Sequence, residues 1–132
     1  MIPKFRAYDG GSLSRMYQPE DVMVGGGNIW INDEDFDAGE WIVNNDLELM
    51  QSTGLHDKNG QEIFEGDVVR QVRTQPTTEN ETITGVVTML EGAWSIVNDN
   101  KQLASVLWSE TAENEIIGNI YENQELLEGE EK

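Results

Sequence analysis

Cysteine is absent from this chain, histidine occurs once and proline only three times in 132 residues. Without thiols there is no disulfide, no thiolate nucleophile and no thiolate metal ligand, which fits a reducing compartment. The one histidine, His56, falls short of the several imidazoles that hydrolytic metal centres usually gather. It also lacks a nucleophile to serve, because no serine stands in a nucleophile-elbow setting. No run of about eighteen apolar residues occurs, so no helical membrane span is expected. The opening residues Met1, Ile2, Pro3, Lys4, Phe5 and Arg6 lack the apolar stretch of a secretory signal. The expectation is a cytoplasmic protein with no cofactor, no metal and no catalytic residues.

Basic residues are scarce as well. Eight Lys and Arg stand against 26 Asp and Glu, a formal net charge of -18. Such a field repels nucleic-acid phosphates and anionic lipid out to roughly a Debye length, about 8 Å at physiological salt, which disfavours direct binding to nucleic acid or membrane. It attracts Lys- and Arg-rich surfaces and speeds encounter with them, so the partner that charge predicts is a basic protein. Solubility alone is the plainer account of the same charge.

Seven carboxylates and no basic residue fall between positions 33 and 48: Asp33, Glu34, Asp35, Asp37, Glu40, Asp46 and Glu48. These are the candidate partner-binding residues. Asp33, Asp35 and Asp37 occupy the alternating positions of the first EF-hand ligands. The glycine position holds Ala38 and the bidentate glutamate position holds Asn44, so a solvated acidic loop fits better than a calcium site. Acidic residues are so abundant that close carboxylate pairs arise by chance, which removes their value as a sign of glycoside chemistry. The tryptophans Trp30, Trp41, Trp94 and Trp108 lack the basic groove of a base-stacking platform, and packing in a core or interface is the better account.

What the chain does contain is a succession of short extended segments. Phe5, Ala7 and Tyr8, then a turn at Asp9, Gly10 and Gly11, then Leu13, Met16 and Tyr17 read as a hairpin. Val22 to Val24, three glycines and Ile29 to Ile31 read as strand, turn, strand. No Lys and no helix start follow Gly25, Gly26 and Gly27, so they form a connection rather than a phosphate cradle. Asn59-Gly60 marks a turn. Beyond it, residues 67–73, 83–90, 93–97 and 103–108 are four apolar or alternating runs at roughly ten-residue spacing, and 116–121 supplies a fifth. Glu65-Gly66-Asp67 before the valines has the look of the turn leading into the first strand of SH3-like barrels, a likeness of fold alone. The expected architecture is mainly β, with a small SH3-like five-stranded β-barrel in the C-terminal half and N-terminal β-hairpin additions. One domain spans 1–132: hairpins and acidic loop over 1–48, barrel core over 49–123, and an acidic tail over 124–132 with a short helix near Glu125, Leu126 and Leu127.

The stretch Leu49-Met50-Gln51-Ser52-Thr53-Gly54-Leu55-His56-Asp57-Lys58-Asn59-Gly60-Gln61-Glu62-Ile63-Phe64-Glu65-Gly66-Asp67-Val68-Val69 resembles the central motif of the YopX family. Ile2 to Asp9 and Glu115 to Asn123 agree with it, while Gly10 to Asp46 match nothing familiar. The resemblance implies a β-rich fold and a gene carried by phages or prophages of Gram-positive bacteria, and no known reaction. Within the motif, Gly54 and Gly60 are expected to serve backbone turns with positive φ. Charge and family together suggest a phage-encoded, non-enzymatic accessory protein in the bacterial host cell. It would bind a basic host or defence protein, with anti-CRISPR or anti-restriction inhibition by DNA mimicry as the concrete form. The alternative is a structural phage protein that forms homo-oligomers.

Overall fold

Alternating apolar residues and frequent turn signals give strands almost throughout. The structure is a computed structural model and describes residues 4–11, 14–32, 40–73, 82–99, 102–109 and 112–123. The chain divides into two compact units, Met1–Ser52 and Thr53–Lys132. No helix among the described residues is long and apolar enough to cross a membrane. The acidic tail and its expected helix lie outside the described residues.

In the first unit, β1 (Phe5–Asp9) pairs antiparallel with β2 (Arg15–Tyr17), as the hairpin reading expected, and with the first residues of β6 (Glu48–His56). A three-residue 3-10 turn, Pro19–Asp21, leads into β3 (Val22–Gly25). β3, β4 (Asn28–Asn32) and β5 (Trp41–Val43) form a three-stranded antiparallel sheet in that order. The β3–β4 connection is Gly26-Gly27, with φ of 60° and 79°. Positive φ at both central residues is what a type I′ hairpin needs, because its twist matches that of the flanking strands. The glycine run is therefore a strand connection, as expected. Alternation then sorts the sheet into two faces. Val22, Ile29, Ile31 and Ile42 pack with Ala7, Tyr17, Leu47 and Leu49 in one apolar core.

The second unit begins with the end of β6, which pairs with β7 (Glu62–Phe64). β8 (Asp67–Arg73), β9 (Thr82–Leu90), β10 (Ala93–Asn98), β11 (Leu103–Val106) and β12 (Ala112–Asn119) form a five-stranded antiparallel sheet in the order β11-β10-β9-β8-β12. All five expected strands are present. The last begins four residues earlier than expected, because Ala112 to Glu115 pair with Arg73 to Arg70. Ile63, Val69, Val87, Ile96 and Leu107 make the core, with Leu55, Trp94 and Ile116 against it. Burying each such side chain contributes about 1.5–3 kcal/mol.

The mainly β expectation holds, but the backbone ladders described do not close into an SH3-like barrel, because β11 and β12 are the two ends of the sheet. Side chains bridge the curl instead. Gln71, 1% exposed on β8, donates from Nε2 to the carbonyls of Val106 and Leu107, both at 3.2 Å. These carbonyls lie at the β11 end, with two strands between it and β8 in the sheet order, so the sheet must bend sharply to bring them within reach.

Space is short where β9 pairs with β10. A Cβ added to Gly85 would lie 2.6 Å from the Val97 carbonyl oxygen and 2.8 Å from Ile96 Cγ2. Gly85→Ala is expected to cost about 1–3 kcal/mol through overpacking. Gly25→Ala, where nothing lies within 4 Å, is expected to stay within about 0.5 kcal/mol of wild type. Urea titrations of the two variants check this, and equal midpoints would contradict it.

Candidate functional site

The motif residues come together around one buried carboxylate. In the turn between β6 and β7, Asp57 Oδ1 accepts from the backbone N–H of Asn59 and of Gln61, both at 2.9 Å. Its Oδ2 accepts from the N–H of Ile116 at 3.1 Å, 59 residues away on β12. The Lys58 N–H donates to the Asn114 carbonyl at 2.9 Å, so Asp57 and Lys58 together occupy part of the edge of β12 that faces away from β8. Burial by itself raises the Asp57 pKa. The N–H donors of Ile116, Gln61 and Asn59, with the Lys58 charge, outweigh it and hold the carboxyl below its ordinary 3.8. Gly60 has a φ of 84° in this turn, as expected, whereas Gly54, with a φ of 80°, lies within β6 and not in the turn expected of it.

A second buried carboxylate, Asp67, accepts from the Phe64 N–H at 2.8 Å and closes the Phe64-Glu65-Gly66-Asp67 turn. The Asn119 side chain accepts from the N–H groups of Tyr121 and Glu122, which ends β12 in an Asx turn. These acidic and amide groups are occupied with backbone donors. His56, next to Asp57, is exposed.

A groove of about 470 Å³ opens between β8, β11 and the start of β12, lined chiefly by Gln71, Arg73, Ser105, Val106, Trp108 and Ser109. Arg73 donates to Ser105 Oγ at 3.2 Å, Ser105 donates to Gln71 Oε1 at 2.9 Å, and Gln71 reaches Asn114 Oδ1 at 3.0 Å. The described lining residues offer a guanidinium and hydroxyls, with no carboxylate, thiol or imidazole among them. No group of three or more His, Cys, Asp or Glu able to hold a metal occurs among the described residues.

Of the seven candidate partner-binding carboxylates, Asp33, Glu34, Asp35 and Asp37 lie outside the described residues. The other three are exposed. Glu40 immediately precedes β5, Asp46 sits in the turn after it with its N–H on Asn44 Oδ1 at 3.0 Å, and Glu48 opens β6. The tryptophans divide. Trp94 packs against the core of the second unit as expected, whereas Trp41 and Trp108 are exposed. Trp41 belongs to a surface that sequence reasoning missed. On the outer face of β3-β4-β5 the register sets Met23 opposite Trp30 and Trp30 opposite Val43, with Trp41 on the same face two residues before Val43. The Trp30 indole N–H donates to the Gly25 carbonyl at 3.4 Å.

These features define a mainly β protein with motif turns built on buried carboxylates. A family profile described as YopX protein matches residues 4–128, and the chain belongs to that family. It is similar in fold to the crystal structure of protein yopX from Bacillus subtilis, with 18% identity, a TM-score of 0.62, and 93% of this chain and 96% of that one covered. It is also similar to the crystal structure of protein EF1440 from Enterococcus faecalis, with 26% identity, a TM-score of 0.61, and 96% and 99% covered. No curated protein matches the sequence.

The Asp57 geometry sets a pH dependence. A carboxyl held low in the folded state contributes stability that is complete above 3.8 and is lost as the pH falls below it. Asp57→Asn turns an N–H acceptor into a donor facing the Ile116 N–H, and is expected to cost about 1–3 kcal/mol at neutral pH. The gap between wild type and variant should narrow as the pH falls below 3.8. Urea titrations across that range measure it, and a pH-independent gap would be inconsistent with this account.

Proposed function

We propose that the protein is a phage-encoded, non-enzymatic accessory protein that binds a basic protein of the bacterial host cell or of its defences. A CRISPR or restriction nuclease is the concrete form, its nucleic-acid channel occupied by a DNA mimic. The observation that carries this reading is the net charge of -18, with Glu40, Asp46 and Glu48 exposed and free of any metal-holding cluster among the described residues. Exposed carboxylates of one sign stand in for phosphates and raise the rate of encounter with a basic groove.

A second reading has its own support. β11 is an end strand of its sheet, and Leu103, Val106 and Trp108 are exposed on and beside it. An apolar edge is a template for pairing with another chain, which suits a structural, homo-oligomeric phage protein. The repulsion between copies carrying -18 each weighs against it.

The tagged protein, incubated with host lysate at low and at high salt, is expected to retain a basic nucleic-acid-handling protein only at low salt, identified by mass spectrometry. Retention that does not weaken with salt, or recovery of the bait alone, would count against mimicry. Light scattering that finds a stable assembly at micromolar concentration would move the weight to the oligomer.

A further inference from the structure

We infer that the outer face of the β3-β4-β5 sheet docks a Lys- and Arg-rich segment of a protein partner whose remaining side chains are apolar. The inference rests on the reading that the partner is a basic protein, and names the surface that takes it. Three of the four large side chains on this face are open to solvent: Met23 is 48%, Trp41 38% and Val43 40% exposed. Large apolar groups gathered on one exposed sheet face mark an interaction surface more often than chance exposure does. The opposite face is already filled by the core of its own unit.

Charge identifies the occupant. The strands themselves, Val22–Gly25, Asn28–Asn32 and Trp41–Val43, carry no charged residue. β3 and β5 both run antiparallel to β4, so both begin at the same end of the sheet. Glu20 and Asp21 lead into β3 and Glu40 leads into β5, which places three carboxylates at that one end. An apolar platform with an indole on it and carboxylates at its rim complements Lys and Arg twice. The aliphatic stems lie on Met23 and Val43, and the cationic heads meet the Trp41 ring or the carboxylates. A second copy of this chain would bring a further -18 of charge to the same face, and a nucleic acid would bring phosphates.

Salt separates the candidates, because attraction to a cationic segment weakens as salt rises whereas self-association of a strongly acidic chain strengthens. The probe is a fluorescein-labelled peptide of alternating arginine and leucine, read by anisotropy on the full chain at low and at physiological salt. Wild type is expected to bind it, and Trp41→Ala and Val43→Lys are each expected to weaken binding about tenfold or more. Met89→Lys, the same kind of change at an exposed site on β9 of the second unit, should leave affinity within about twofold. Circular dichroism confirms that each variant retains its strands, and Met23→Lys repeats the test on β3 should a β5 variant unfold. If the peptide binds and all the face variants match wild type, the surface assignment is wrong while the reading of a basic partner stands. If neither this peptide nor an arginine–glycine peptide of equal charge binds at low salt, that reading fails together with the surface. Self-association that grows with salt and is abolished by Val43→Lys would give the face to a second copy and overturn the proposal.

Discussion

The second unit depends on a carboxylate that should be costly to bury. Asp57 is almost wholly covered, and an ionised group in that position is tolerated only if its oxygens are satisfied. They are satisfied by backbone N–H groups from two places far apart in sequence, its own turn and the middle of β12. The same atoms therefore fix the turn and hold the last strand of the sheet. With Ile116 also packed against the apolar core, the polar and apolar constraints on β12 agree in register. That agreement matters because a one-residue slip would exchange the buried and exposed sets of side chains along the strand.

Gln71 solves a related problem at the other end of the sheet. Curling brings the β11 carbonyls toward β8, where an aliphatic side chain would bury them without donors. A carboxamide supplies donors from Nε2 and accepts from Ser105 at Oε1, so the bend is closed by a satisfied polar network rather than by backbone pairing. Such a network tolerates no partial version, since each member left unpaired would carry its full desolvation cost. The charge on Arg73 joins the same network through Ser105, which orders the guanidinium at the mouth of the groove.

Local pattern made much of this fold legible. The alternation through residues 67–73, the β-branched run at 83–90 and the glycine and asparagine turns placed the five strands of the second unit, and the paired segments around Gly26 placed β3 and β4. The strands that went unnamed are β5, β6 and β7, and two of them are too short to show a period. Trp41 to Val43 is three residues set in an acidic stretch, and Glu62 to Phe64 is three residues between two turns. Barrel closure was illegible for a further reason. Strand count and spacing say nothing about whether the end strands meet, and here a buried glutamine, a residue type usually found at the surface, carries the closure.

The site was less legible than the fold, and the reason is physical. Acidic residues advertise themselves in a sequence whether or not they act, so counting carboxylates selected seven positions of equal standing. The aromatic face is invisible to that count. Met23, Trp30, Trp41 and Val43 become neighbours only through the register of three strands. The motif of the family, by contrast, is spent on turns and on the buried carboxylates Asp57 and Asp67, which are closed off by backbone donors and unable to meet a partner. Residues that specify this fold and residues able to recognise another molecule are thus largely different sets. The central motif, from Leu49 to Val69, shapes a scaffold, and the aromatic face lies outside it, in the segment from Gly10 to Asp46 that the family profile also spans. A scaffold whose motif is consumed by folding leaves recognition to the segments outside it.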